Sequence, residues 1–201
     1  MIKPSVTLAL LALPLLAPTF QRPAAGQPVA EALLKQPNAS QGAQSAWREF
    51  SPRQAGFSVL MPGMPKEETE IKDFPVVGKG TVHLFVLSGE YGVYVVGYLE
   101  VPGLARQSPS FCDSFGKGFL AGIGEGTAKG AGGKVIKDSD ISFGSYPGKE
   151  ILIQVPAGLA TARAFFIKRR GYQLVAVPPS GSDDAGYVKK FLDSFKVTAG
   201  S

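Results

Sequence analysis

The sequence predicts an α+β fold: a mainly antiparallel twisted sheet sandwiched by two main helices. Three observations lead there. Apolar residues alternate with period two along most of the chain after Trp47, the spacing of strands that bury one face. Helical periodicity appears at only two places. The strand segments are joined by short, glycine-bearing links, which antiparallel pairs accept and parallel crossovers do not. Regular strand–helix alternation, the mark of a doubly wound sheet, is missing.

The elements follow in order. Trp47, the only tryptophan, opens a short first strand over residues 47–50. Phe57, Val59 and Met61 alternate on a second strand, which Pro62-Gly63-Met64-Pro65 stops. Residues 66–73 are polar and read as an edge strand, since charge is a common protection of exposed edges. Residues 81–87 and 93–101 are two strong strands around the loop Ser88-Gly89-Glu90-Tyr91-Gly92. Ser108 then offers an N-cap and Pro109 a first helical residue. Phe111, Phe115 and Phe119 recur every four residues, with Cys112 and Ile123 beside them, on one apolar helical face. Gly116, Gly118 and Gly122 weaken that helix by about 1 kcal/mol each against alanine, so packing of the rings must hold it.

Strand periodicity returns at 134–143. Tyr146-Pro147-Gly148 reads as a turn, with Pro147 setting φ and Gly148 free to take positive φ. Residues 150–155 form the next strand, and 162–169 and 172–177 a further pair around Arg170-Gly171. Ser182 caps a last helix with Asp183 and Asp184 in its first turn, favourable at the positive end of the helix dipole. Tyr187, Val188, Phe191, Leu192 and Phe195 form its apolar stripe, with Lys189, Lys190 and Lys196 outside it. Seven or eight strands result, with one helix on each face of the sheet or both on one face.

Residues 1–26 read as a secretory signal: Lys3, an apolar run from Val6 to Phe20, and Ala24-Ala25-Gly26 at the processing site. A spanning helix needs about 20 apolar residues, and this run is shorter and broken by Pro14 and Pro18. An exported protein, periplasmic or extracellular, with no membrane span after processing is therefore expected. Residues 27–46 are rich in Ala, Gln, Pro and Ser without a period and read as a flexible linker; 47–197 is one domain and 198–201 a tail.

The processed chain has about 175 residues, enough for one good core. The net charge of +5 falls to +3 once Lys3 and Arg22 are removed. That charge is mild and scattered, without the basic face of a nucleic-acid binder. The one cysteine, Cys112, permits no internal disulfide; an odd cysteine in an exported protein can pair between chains or act as a thiol, and its phenylalanine neighbours favour a small buried residue.

Four blocks occur in order: Trp47-Arg48-Glu49-Phe50-Ser51, Gly56 to Lys66, Tyr146-Pro147-Gly148-Lys149-Glu150-Ile151, and Lys190-Phe191-Leu192-Asp193-Ser194-Phe195-Lys196. Together they resemble a group of bacterial exported domains with "FSVLMPG.P", "YPG(R/K)E" and "FLDSF" motifs. The fold of that group is similar to PsbP, the lumenal accessory protein of the photosystem, to DcrB, and to the Ran-binding Mog proteins. The resemblance spans about residues 47 to 197. It implies a PsbP-like α-β-α sandwich and a role in scaffolding or partner binding rather than catalysis. It carries over no functional residue.

No residue set nominates a reaction. His83, the only histidine, lies on the strand face opposite Val82, Leu84 and Val86, and no Gly-x-Ser-x-Gly elbow accompanies it. One histidine and one cysteine, far apart, do not make a zinc site. Asp138-Ser139-Asp140 lacks the glycine and distal glutamate of a calcium loop, and Asp183-Asp184 is explained by capping. The glycines from 122 to 133 fail both phosphate-binding patterns, because Thr127 and Ala128 stand where glycine is needed. They read as a helix end running into a flexible loop.

Lys168-Arg169-Arg170 is the one basic cluster: an anionic docking point for a partner, or a solvated hairpin tip. The expectation is a cofactor-free, metal-free, non-catalytic exported binding or accessory domain for an unknown protein or small ligand at the cell envelope. The alternatives are a small hydrolase using carboxylates only, or a purely structural envelope component.

Overall fold

The computed structural model describes residues 47–179 and 185–198. The expectations for residues 1–26 and 27–46, for Ser182 to Asp184, and for 199–201 fall outside these. In chain order the strands are β1 (Arg48–Phe50), β2 (Phe57–Met61), β3 (Lys66–Phe74), β4 (Gly78–Gly89) and β5 (Gly92–Glu100). A 3-10 turn, Pro102–Arg106, leads into α1 (Pro109–Gly130). Then come β6 (Lys134–Phe143), β7 (Tyr146–Val155), β8 (Gly158–Ile167), β9 (Arg170–Val177), α2 (Ala185–Asp193) and β10 (Lys196–Val197).

Seven strands form one antiparallel sheet in the order β3-β4-β5-β9-β8-β7-β6. The predicted edge strand is an edge, and β6 is the other. Register carries each strand's odd and even residues to opposite faces. Helix α1 lies over β6, β7 and β8 on one face. The other face carries α2 and a second, three-stranded antiparallel sheet, β1-β2-β10. The fold is thus the expected α+β sandwich with one helix on each face, plus a small sheet that the sequence reading merged into the large one.

Two cores result, one on each side of the large sheet. On the α1 side, Phe119, Leu120 and Ile123 bury against Ile151, Ile153, Ala162, Ala164 and Phe166. Ser108 caps α1 by accepting a hydrogen bond from the Phe111 N–H at 3.2 Å. Cys112 is buried there, its thiol donating to the Leu104 carbonyl at 3.5 Å. Phe111 and Phe115 are only half-buried, so Phe119 is the ring that seals this face. On the α2 side, Phe57, Phe85, Tyr94, Tyr98, Phe165, Tyr172, Phe191 and Phe195 form a ring-rich core.

Several local expectations are corrected. Tyr146-Pro147-Gly148 is not a turn but the start of β7, where Pro147 faces Ser142. The turn is Gly144-Ser145, with Gly144 at φ +57°. Gly148 is needed for space, because a Cβ there would meet the Phe165 ring at 2.4 Å. The β8–β9 tip is Lys168-Arg169, not Arg170-Gly171. The glycines from 122 to 130 are helical, since α1 runs on to Gly130 and only 131–133 form a loop. Phe195 lies beyond the end of α2, yet its ring stacks on Phe165 at 5.9 Å and stays in the core.

The glycines of α1 give a test with two signs. A Cβ at Gly118 would meet nothing within 4 Å, whereas one at Gly116 would lie 2.4 Å from the Phe166 ring. Gly118→Ala is expected to stabilise by about 0.5–1 kcal/mol through helix propensity. Gly116→Ala is expected to destabilise by about 1–3 kcal/mol because the overpacked ring must move. Denaturant midpoints of the two variants check this, and the same sign for both would refute the packing.

Charges tie α2 to the sheet. Arg163 Nε donates to Glu150 Oε2 at 2.7 Å, and Arg163 Nη1 to Asp193 Oδ1 at 2.7 Å. Asp193 also accepts from Lys189. Lys189 first, then Arg163, holds the Asp193 carboxyl below the usual carboxylate range. A depressed folded pKa adds stability that is complete above the unfolded value, about 3.9, and is lost as pH falls through the folded value. Asp193→Asn should flatten the acid limb below about pH 5. The loss should be only a few tenths of a kcal/mol, because the side chain is 39% exposed. Urea titrations across that range read it directly.

Candidate functional site

A seven-stranded sheet is about 29 Å wide, while one helix about 10 Å across covers two or three strands. With α1 over β6–β8, Phe119 and the 3-10 turn cover one end of the same face of β4, β5 and β9, and the other end is left partly open. The side chains there are aliphatic and in register. Val86 is paired with Val95, Val95 with Val175, and Val93 with Val177. With Leu84 they floor a trough of about 650 Å³. Lys66 and Glu68 of β3 form one wall, the last turn of α1 with Thr127, Gly130 and Ala131 the other, and Met64, 78% exposed, sits at the rim.

The trough carries one buried polar pair. Thr127 Oγ1 donates to the Ile123 carbonyl at 2.6 Å, so its oxygen is left only to accept. Gln173 Nε2 donates to it at 2.7 Å. That fixes the orientation of the amide. Gln173, 6% exposed, then has its Oε1 buried with no hydrogen-bond partner. Buried acceptors in this condition are uncommon and cost free energy.

The predicted basic cluster divides. Lys168 and Arg169 take φ +48° and +69°, the two positive values of a type I′ hairpin turn, which usually selects Asn or Gly. Both are exposed, and neither forms an ion pair among the described residues. They flank a cleft of about 400 Å³ that also touches Gly56, Glu100, Pro102 and Thr198. Arg170 is occupied within the fold. Its Nη1 donates to the carbonyls of Gln54 at 2.8 Å and Ala55 at 3.0 Å, and its Nη2 to Glu100 Oε1 at 2.8 Å. Its guanidinium lies 5.0 Å from the Tyr98 ring centre.

The remaining candidates each have a partner within the fold. His83 stacks on Tyr98, ring centres 4.5 Å apart, with its Nδ1 3.2 Å from Glu67 Oε1. Asp138 and Asp140 both bind Lys149 Nζ at 3.0 Å. Their hydrogen bonds, Asp140 first, raise the lysine pKa. No group of three or more His, Cys, Asp or Glu side chains is arranged for a metal among the described residues. No helix there is long and apolar enough to cross a membrane.

The trough was missed in the sequence, although a signal existed. Leu84-Phe85-Val86-Leu87 and Val93-Tyr94-Val95-Val96 are apolar on both faces, but only two helices were available to cover the sheet. An excess of two-faced strands over covers leaves apolar surface open.

An α+β sandwich of this kind, with an aliphatic trough and a basic hairpin tip, defines no reaction by itself. No protein-family model matches the chain, and no curated protein matches it. Among solved structures it is similar to cyanobacterial PsbP (CyanoP) from Synechocystis sp. PCC 6803. The likeness covers 82% of this chain and 98% of that one, at 14% identity and a TM-score of 0.42.

Proposed function

We propose that this protein is an exported, non-catalytic binding domain that carries a small apolar ligand in the trough. The open aliphatic floor over β4, β5 and β9 is the observation that carries this reading. Val86, Val93, Val95 and Val175 are only half-buried there, a contiguous apolar surface of the kind that marks binding sites, and the volume lies within the range of small-molecule sites. Among the described residues each of these two clefts is lined by a single carboxylate, Glu68 in the trough and Glu100 at the tip, and Glu100 is engaged by Arg170. Carboxylate-only hydrolysis uses a facing pair. Export rests on residues 1–26, with Lys3 and the Ala24-Ala25-Gly26 step.

Native mass spectrometry of the protein recovered from its own cell envelope tests this reading. The expected result is a non-covalent adduct that Val95→Trp, which fills the trough, removes. An adduct-free spectrum, or an adduct indifferent to that variant, would overturn it. A second reading concerns the hairpin tip. Lys168 and Arg169 would dock an anionic protein partner, supported by two exposed cations on a positive-φ turn that form no ion pair among the described residues.

A further inference from the structure

We infer that the cleft at the β8–β9 tip takes an extended acidic segment of a partner polypeptide, which pairs as a strand with the free edge of β10 and sets its carboxylates against Lys168 and Arg169. This rests on the second reading above, that the tip docks an anionic protein, and it names how the partner is held.

Charge selects an acidic partner. The charged residues lining the cleft are Glu100, Lys168, Arg169 and Arg170. Arg170 and Glu100 engage each other. Lys168 and Arg169 remain, both exposed and without an ion pair among the described residues. Exposed ion pairs are weak, each worth at most about fivefold in affinity. Two of them do not hold a ligand alone, so the ligand must make further contacts.

A backbone edge supplies them. In the small sheet β10 pairs with β2, and among the described residues it has no strand on its other side. The Thr198 N–H donates to the Gly56 carbonyl, and antiparallel bonding alternates along a strand. The N–H and C=O of Val197 therefore point away from β2. Val197 lines the same cleft as Lys168 and Arg169. An unpaired edge is a template for an added strand. A polypeptide answers both the donor and the acceptor at strand spacing; a free anion or a lipid headgroup does not. Pro102 and Ala105, both exposed, add a shallow apolar wall that suits short side chains.

A bilayer is a poorer match. Segments that lie on membranes combine cations with apolar side chains that enter the lipid. Here Ile167, beside the turn, is buried, and Arg170 on the other side is engaged within the fold.

The turn also bears a cost. Lys168 and Arg169 hold φ of +48° and +69°, where Asn and Gly are the favoured residues. Strain of this kind gathers at ligand clamps and other functional sites.

The experiment titrates the full chain with the blocked peptide acetyl-Glu-Val-Glu-Val-Glu-Val-amide. Its comparisons are the analogue with Gln for Glu, two analogues N-methylated at the valines or at the glutamates, and phosphatidylglycerol vesicles. Calorimetry and amide chemical shifts follow binding. The wild type is expected to bind the acidic peptide at least tenfold more tightly than the Gln analogue and than one of the methylated pair. Shifts are expected at Lys168, Val197 and Thr198, and added salt should weaken the complex. Lys168→Asn with Arg169→Gly should lose binding at least tenfold while the melting midpoint rises by about 2–4 °C, because the turn relaxes. Lys168→Met with Arg169→Met repeats the loss should the first pair fail to fold.

Undiminished binding by both double variants would place the peptide elsewhere and overturn the inference. Full binding of both methylated analogues would overturn the strand pairing. Failure of the peptide, beside an envelope partner that the Lys168→Met, Arg169→Met variant loses, would overturn this segment chemistry and leave the docking reading standing. Binding to the vesicles alone, lost in the same variant, would overturn both.

Discussion

Phe57→Ala is expected to cost about 3–5 kcal/mol, the scale of deleting a fully buried ring. Phe57 has no exposed surface and sits in β2, the central strand of the small sheet, facing the large one. Its ring contacts Phe50, Phe85, Tyr98, Tyr172 and Phe195, with ring centres between 5.9 and 6.4 Å away. The neighbours come from four strands and the link between α2 and β10, so no single rotamer change can refill the space. Domains of this size have only about 5–15 kcal/mol of stability in all, and such a loss would be a large share of it. Denaturant unfolding should show the midpoint falling with an unchanged m-value. A cost under about 1 kcal/mol would mean that the inter-sheet core is not close-packed at this ring.

Arg170→Met is the second large effect, expected at about 2 kcal/mol, the scale of charge-assisted hydrogen bonds with the aliphatic stem retained. Arg170 is the post on which the loop between β1 and β2 hangs. It accepts the strain of that loop by holding the carbonyl of Gln54, itself at φ +68°, and of Ala55. Methionine keeps the contact with Tyr98 but donates nothing. Tyr172 still donates to the Ala55 carbonyl at 3.3 Å, so the Gln54 carbonyl and Glu100 Oε1 are the groups that lose their partner to solvent. Lys168→Met and Arg169→Met should each stay within about 0.5 kcal/mol, as exposed substitutions do. Three similar costs would contradict the division of the cluster. The Lys168→Met, Arg169→Met double variant also bears on docking: it should lose any anionic envelope partner while melting as the wild type does.

The fold class was legible because period-two alternation and two helical stripes are strong signals, and the faces they predicted are the faces that bury. The errors share a cause. Gly148 and Gly171 were both read as turn glycines, yet both are space glycines. A Cβ at Gly148 would strike Phe165, and one at Gly171 would strike the Phe119 ring at 2.7 Å. Local sequence cannot separate the two uses, because the ring that needs the room comes from a distant element. The true turn at Lys168-Arg169 had no glycine or asparagine to announce it. The second sheet was hidden for a related reason: β10 is two residues long, and only its partner Phe57–Ser58 makes it a strand. Of the candidate site, the basic cluster was visible in sequence. The trough was not, since it arises from what α1 fails to cover.

The pairing of β10 with β2 has a consequence for folding. Val197 aligns with Phe57, and the Thr198 N–H donates to the Gly56 carbonyl at 3.0 Å, so β2 is completed only by a segment far along the chain. The ring-rich core around Phe57 therefore stays incomplete until that distant segment docks. Long-range closure of this kind is slow, because loop entropy must be overcome before the contact repays it.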